Sequence, residues 1–312
     1  MCHQISQVFL PLEKLGDCHA CQTTAATKIC SACGERAYCS QECQSQDWKD
    51  HKLGCGKTDR IDLEHFYPFL AWMYAYSHMT ATKPIHPALQ HKIINDVNPY
   101  VTPTQLPDGW EAKLVMIDDT QAPRPFLDHM DWFPLAYSPK VAGKMFRRIA
   151  LSGYVLPILT AVASAILAEM YTTTSGAGSS ERRVRLKYRS SPISDFGIAT
   201  GSAVVTPQDR LAYYRQSDGS IFWGQDPDDH YWLYFTTTRG EEVLLDCAMF
   251  PFNMCQMVDS TPYVPAEMPM QEMDPALSLR FSQNASYGRT LRHCIGNETV
   301  FLYSEIPSCT RL

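Results

Sequence analysis

The sequence predicts an α+β protein, with a small metal-stapled module at its start and a larger mixed α+β domain after it. Three observations support this. Seven of the twelve cysteines fall between Cys18 and Cys55. Beyond Cys55 the composition turns to that of a core-forming domain, in a chain that is 45% hydrophobic and 19% charged. Helical patterns then dominate the first half of that domain and strand patterns the second. The expected organisation is an N-terminal segment at residues 1–17, the module at 18–55 and the α+β domain at 56–312.

The chain has 312 residues and a net charge of -6, from 27 Lys+Arg against 33 Asp+Glu. That balance argues against broad nucleic-acid binding, which needs a strong positive field. Met1 to Gln7 offers neither a basic n-region nor an apolar run, so a secretory signal is not expected. The expectation is an intracellular protein of the cytoplasm, the nucleus or both. In a reducing compartment, clustered cysteines point to metal rather than disulfides.

The cluster runs Cys18-x2-Cys21-x8-Cys30-x2-Cys33-x5-Cys39-x3-Cys43-x7-His51-x3-Cys55. Seven thiolates and one imidazole are enough for two four-coordinate sites, and zinc suits tetrahedral sulfur and nitrogen donors. Two intervening residues let both sulfurs of a pair reach one ion from a tight turn. The x3 spacings put Cys39 with Cys43, and His51 with Cys55, one helical turn apart. Spacing alone permits either sequential or interleaved sites. Ile29, Tyr38, Trp48 and Leu53 are the large apolar residues of the segment, too few to fold it without metal. Ser40 is placed to cap a helix carrying Cys43, and Ser45 a second one carrying Trp48, His51 and Cys55. All eight positions are filled by protein, so the two zinc ions would be structural.

The ligand order, with Ala37-Tyr38-Cys39-Ser40, Cys43-Gln44 and Asp47-Trp48-Lys49-Asp50-His51-Lys52, resembles the MYND-type zinc finger. The resemblance implies interleaved sites: Cys18, Cys21, Cys39 and Cys43 on one ion, and Cys30, Cys33, His51 and Cys55 on the other. It also implies a protein partner, through short proline- and leucine-containing peptides bound at Gln44 and Trp48. Such a peptide would lie along the strand around Ala37 to Cys39, its leucine on the indole. Trp48 is equally suited to packing the miniature core or docking on the rest of the chain. The finger's four Lys/Arg cancel its four Asp/Glu, a poor grip for phosphate, so no nucleic acid is expected.

Downstream, Asp62 to Tyr76 predicts a helix with Pro68 in or near its first turn. Trp110 to Ile117 predicts a strand, and Pro139 to Tyr171 a long helical stretch. Within it, residues 149–168 carry no charge, the minimum length of a membrane span. Gly153, Pro157 and many alanines favour a buried helix, so no membrane is expected. Residues 172–181 suggest an exposed loop. Arg183 to Arg189 alternates as a half-buried edge strand guarded by basic residues. Its basic run also fits an import signal or a phosphate-contacting strip. Tyr231 to Phe235 with Glu242 to Asp246 predicts a hairpin around Arg239-Gly240.

Two enzyme classes bear on the larger domain. Lysine methyltransferases of the SET fold carry such fingers, but only 17 residues precede Cys18. The faint echoes at Gly240-Glu241-Glu242 and Phe252-Asn253-Met254-Cys255 run in the wrong order. His230-x-Trp232 with Leu245-Asp246 resembles the His and Asp region of transglutaminase-like folds. No cysteine lies between Cys55 and Cys247 to act as nucleophile. An enzyme or degenerate enzyme, a hydrolase or transferase with His230 and Asp246 as its suspect pair, is the alternative, with no catalytic residue assigned. The run Asp226-Pro227-Asp228-Asp229 is expected to be a solvated turn.

Overall fold

The computed structural model describes residues 16–79, 83–121, 128–167, 184–254, 257–263, 273–275 and 279–282. The 172–181 loop expectation falls outside them. The finger contains β1 (Lys28–Ile29), β2 (Ala37–Tyr38) and α1 (Gln41–His51). Next come β3 (Ile61–Asp62), α2 (Leu63–His78), α3 (Pro87–Gln90), β4 (His91–Ile93), β5 (Thr104–Gln105) and β6 (Glu111–Gln121). The helices α4 (His129–Trp132), α5 (Pro139–Ala150) and α6 (Val155–Val162) follow. The second half is β7 (Leu186–Tyr188), β8 (Ser191–Gly201), β9 (Leu211–Arg215), β10 (Ile221–Trp223), β11 (His230–Thr237) and β12 (Glu242–Leu245). Short strands β13 (Met257–Asp259), β14 (Met273–Pro275) and β15 (Leu279–Ser282) close the described chain.

Two mixed sheets organise the domain. One runs β10-β9-β6-β4, with β5 also on β6; the other runs β15-β12-β11-β8-β7-β3. Leu70, Tyr74, Leu159 and Val162 from α2 and α6 pack on the six-stranded sheet against Leu186, Ile193, Phe235 and Leu245. Trp132, Phe133, Met145 and Phe146 from α4 and α5 and their connections pack on the other sheet against Val115, Ile117 and Tyr213. Alternation on β11 and β12 places Leu233, Phe235, Val243 and Leu245 on the helix side, and Arg239-Gly240 turns the hairpin with Gly240 at φ +80°.

Several expectations are corrected. The stretch from Pro139 is two helices bent by 78°, and residues 168–171 lie outside the described chain. The break has a local cause, because Gly153 and Tyr154 both take left-handed backbone and Pro157 sits in the first turn of α6. No single helix among the described residues is long and apolar enough to cross a membrane. Pro68 is the sixth residue of α2, whose N-cap is Asp62, accepting from Glu64 N at 3.1 Å. β7 is not an edge, because β3 pairs in parallel on its outer side. Its basic residues meet acids there: Lys187 pairs with Asp62 at 3.3 Å, and Arg189, just beyond the strand, with Glu64 at 3.3 Å.

Candidate zinc centres and the finger face

Ser40 accepts from Cys43 N at 3.2 Å and starts one continuous helix through His51, so the second helix expected from Ser45 is not formed. Cys43 and His51 ride on α1, whereas Cys39 precedes it and Cys55 follows it. The side chains fall into two groups, Cys18, Cys21, Cys39, Cys43 and Cys30, Cys33, His51, Cys55. Within each, the donor atoms lie within 4.8 Å of one another. The interleaved order is therefore the one the fold brings together.

The donor geometry fits zinc. A Zn–S bond of about 2.3 Å gives a tetrahedral S···S edge of about 3.8 Å. Cys21 and Cys39 stand 3.8 Å apart, Cys30 and Cys55 3.8 Å, Cys39 and Cys43 3.5 Å, and Cys33 Sγ is 3.4 Å from His51 Nε2. Electrostatics point the same way. The side-chain hydrogen bond from Cys33 brings Cys30 down to about 4, and the same contact, with burial, pushes Cys33 up. Cys39 is pushed up to about 12 by its contact with Cys43. Packed thiols thus resist losing all their protons unless a cation compensates the charge. Cys18, Cys21, Cys39 and Cys43 would hold one structural ion and Cys30, Cys33, His51 and Cys55 the other.

A family model described as "MYND finger" matches residues 18–55. Residues 18–55 are a MYND finger. The chain is 59% identical over 39 residues to "SET domain-containing protein 14" of Caenorhabditis elegans. It is 49% identical over 41 residues to "Zinc finger MYND domain-containing protein 10 homolog" of Drosophila melanogaster. These matches cover 12% and 13% of this chain and 9% of each relative, so the likeness is about the size of the finger. No solved structure matches the chain.

Inside the finger, Asp47 on α1 accepts from Tyr38 Oη at 2.7 Å and from Arg36 at 3.1 Å, tying the helix to β2. That brace fixes the outward face of α1. Trp48, four residues after Gln44, is 45% exposed, with an edge contact to the His51 ring at 5.7 Å. Among the described residues it neither joins the miniature core nor docks on the domain. Gln44 is half-buried. The carbonyls of Arg36, Ala37, Tyr38 and Cys39 already accept from Cys30 N, His19 N, Thr27 N and Thr27 Oγ1. A peptide adding main-chain hydrogen bonds to that strand, the expected arrangement, would meet carbonyls that each already accept one bond.

Contact with the domain runs instead through the knuckle of the second metal site. Glu35 accepts from Val184 N at 3.1 Å and faces Arg60 at 3.4 Å. Arg60 also donates to Cys33 O at 3.1 Å and Val184 O at 2.9 Å, and Thr238 Oγ1 donates to Ser31 O at 2.8 Å. Gly34 permits this approach: a Cβ there would meet Thr238 Cγ2 at 2.9 Å. These docking residues were not singled out from sequence. The only local signal is a glycine directly after a Cys-x2-Cys pair.

His230 and Asp246 do meet, Nε2 to Oδ2 at 2.7 Å, with Asp246 Oδ1 also accepting from Ala248 N at 2.9 Å. The pair is sealed in the core, His230 0% and Asp246 4% exposed. The contact holds β11 to the segment after β12, leaves His230 Nδ1 buried without a hydrogen-bond partner among the described residues, and keeps both groups away from the surface a substrate could reach. The acidic run is a tight turn in which Asp228 N donates to Asp226 Oδ1 at 2.9 Å.

Proposed function

We propose that this protein is an interaction module in which the zinc-stapled finger presents Gln44 and Trp48 to a short proline- and leucine-containing peptide of a protein partner. One observation carries the reading: the indole of Trp48 stands open on a helix whose position is locked by two metal centres and the Asp47 brace. A large flat ring held at little entropic cost is the kind of anchor that concentrates binding energy. The docking contacts engage Ser31 to Glu35 and leave α1 uncovered, so the face is available while the finger is seated. The zinc-loaded finger, with seven thiolates against two dications, is net negative and disfavours a phosphate backbone. Such a module works inside the cell, in cytoplasm or nucleus, where thiolates stay free for metal.

The contact is small, which sets an affinity on the order of micromolar or weaker. Titrating zinc-loaded protein with proline-leucine peptides, while following the Trp48 side-chain resonances, tests it. Trp48→Ala should weaken binding by about 2 kcal/mol or more. Unchanged Trp48 resonances at millimolar peptide would overturn the proposal.

A further inference from the structure

The α+β domain holds a cleft of about 300 Å³ that nothing in the finger explains. Trp110 walls it at the start of β6, Arg210 just before β9, and Trp223 and Gly224 at the end of β10, with Asp108 and Asp226 at its rim. The two indoles stay 38% and 48% exposed, with centroids 6.2 Å apart and planes inclined at 58°. The Arg210 guanidinium lies 4.6 Å over the Trp110 ring. Its Nε is buried without a hydrogen-bond partner, and it forms no ion pair with an acid among the described residues. The floor is backbone, since a Cβ on Gly224 would stand 2.5 Å from Leu211 O.

These features select a ligand class. Planes inclined at 58° form a wedge, which suits a puckered aliphatic ring better than a flat base sandwiched between parallel faces. A cationic group would find the Trp110 face taken by Arg210 and would meet its repulsion. An anion would meet Asp108 and Asp226. A sugar needs many converging polar groups, but Gln225 is committed to Gly153 N and Asp229 O. One carboxylate oxygen each of Asp108 and Asp226 is likewise committed to its own turn. What remains is two indoles and a cationic donor seeking a neutral acceptor. The cleft also adjoins an open sheet edge. Ser220 O accepts from Arg215 N and Leu211 O from Gly224 N, so by alternation Ile221 and Trp223 turn their main-chain groups outward from β10.

We propose that this cleft is a second peptide site, taking a proline of an extended segment between Trp110 and Trp223 while Arg210 holds the preceding carbonyl. Proline fits because its ring is aliphatic and puckered, its tertiary amide carbonyl is a good acceptor, and it brings no N–H needing a partner. The site is independent of the finger face.

The test uses the zinc-loaded full chain labelled with fluorotryptophan, its resonances assigned by Trp110→Phe and Trp223→Phe, and octaproline amide as the probe. Octaproline should shift the Trp110 and Trp223 resonances, equally in a Trp48→Ala background, while a glycine-serine peptide of equal length leaves them in place. Trp223→Ala should weaken the response about tenfold, and Arg210→Met several-fold. Trp223 is exposed and Arg210 half-buried, and unchanged circular dichroism would confirm folding. Should Trp223→Ala fail to fold, Arg210→Met and the resonance shifts still decide. Resonances unmoved at several millimolar octaproline, or moved by glucose or AMP and not by octaproline, would overturn the proposal. So would an Arg210→Met variant that binds as tightly as wild type.

Discussion

Replacing Gly34 by Ala tests whether the finger is seated on the domain through its second knuckle. Gly34 has φ +70°, a left-handed backbone that costs an L-residue about 1–2 kcal/mol. The added Cβ would stand 2.9 Å from Thr238 Cγ2 and 3.4 Å from Val184 Cγ2. Relieving such overlap costs about 1–3 kcal/mol. Together they give roughly 2–5 kcal/mol, enough to loosen the finger without touching a metal ligand. Thr238→Ser separates the two costs. It deletes the clashing methyl and keeps the hydroxyl that donates to Ser31 O. In the Gly34→Ala background it should recover about 1 kcal/mol or more, whereas alone it should cost little. Urea unfolding of the zinc-loaded variants, followed by circular dichroism and by the Trp48 resonance, reads both transitions. A Gly34→Ala protein within 0.5 kcal/mol of wild type, or a double variant showing no recovery, would refute the seated geometry.

Two further outcomes follow from the same structure. Native mass spectrometry should find two zinc ions per chain; seven thiolates and two dications then move the formal charge from -6 to about -9, and one ion or none would contradict the paired sites. Lys83, donating to Ala150 O, Ser152 O and His78 Nδ1, is lowered by burial to about 8 from 10.5. Between those values the unfolded chain holds more protons than the folded one, so this group makes stability rise with pH across that window and leaves it flat below. The stability difference between wild type and Lys83→Met should therefore grow by roughly 1–3 kcal/mol from pH 8 to 10.5, and urea midpoints that show it flat or shrinking would refute the buried-amine account.

The sequence by itself determined the metal chemistry and most of the local elements. Ligand spacing is a property of neighbouring residues, so the two-zinc finger was legible in Cys18 to Cys55, and so was the hairpin around Arg239-Gly240. Where forces are long-range, local pattern did not suffice. The uncharged run after Ile149 reads as continuous helix, yet it breaks where Lys83 and Gln225, distant in sequence, satisfy the carbonyls and amide of the turn at Ala150 to Gly153. Arg183 to Arg189 reads as an edge because nothing nearby announces β3, two residues long and more than a hundred positions away. Trp48 had two equal fates in sequence, and only the placement of the finger left its ring in solvent. The resemblance to the His and Asp region of transglutaminase-like folds put His230 with Asp246, but whether the pair faces a cleft or a core depends on the surrounding side chains. Burial and exposure are properties of the assembled surface, which no window of sequence contains.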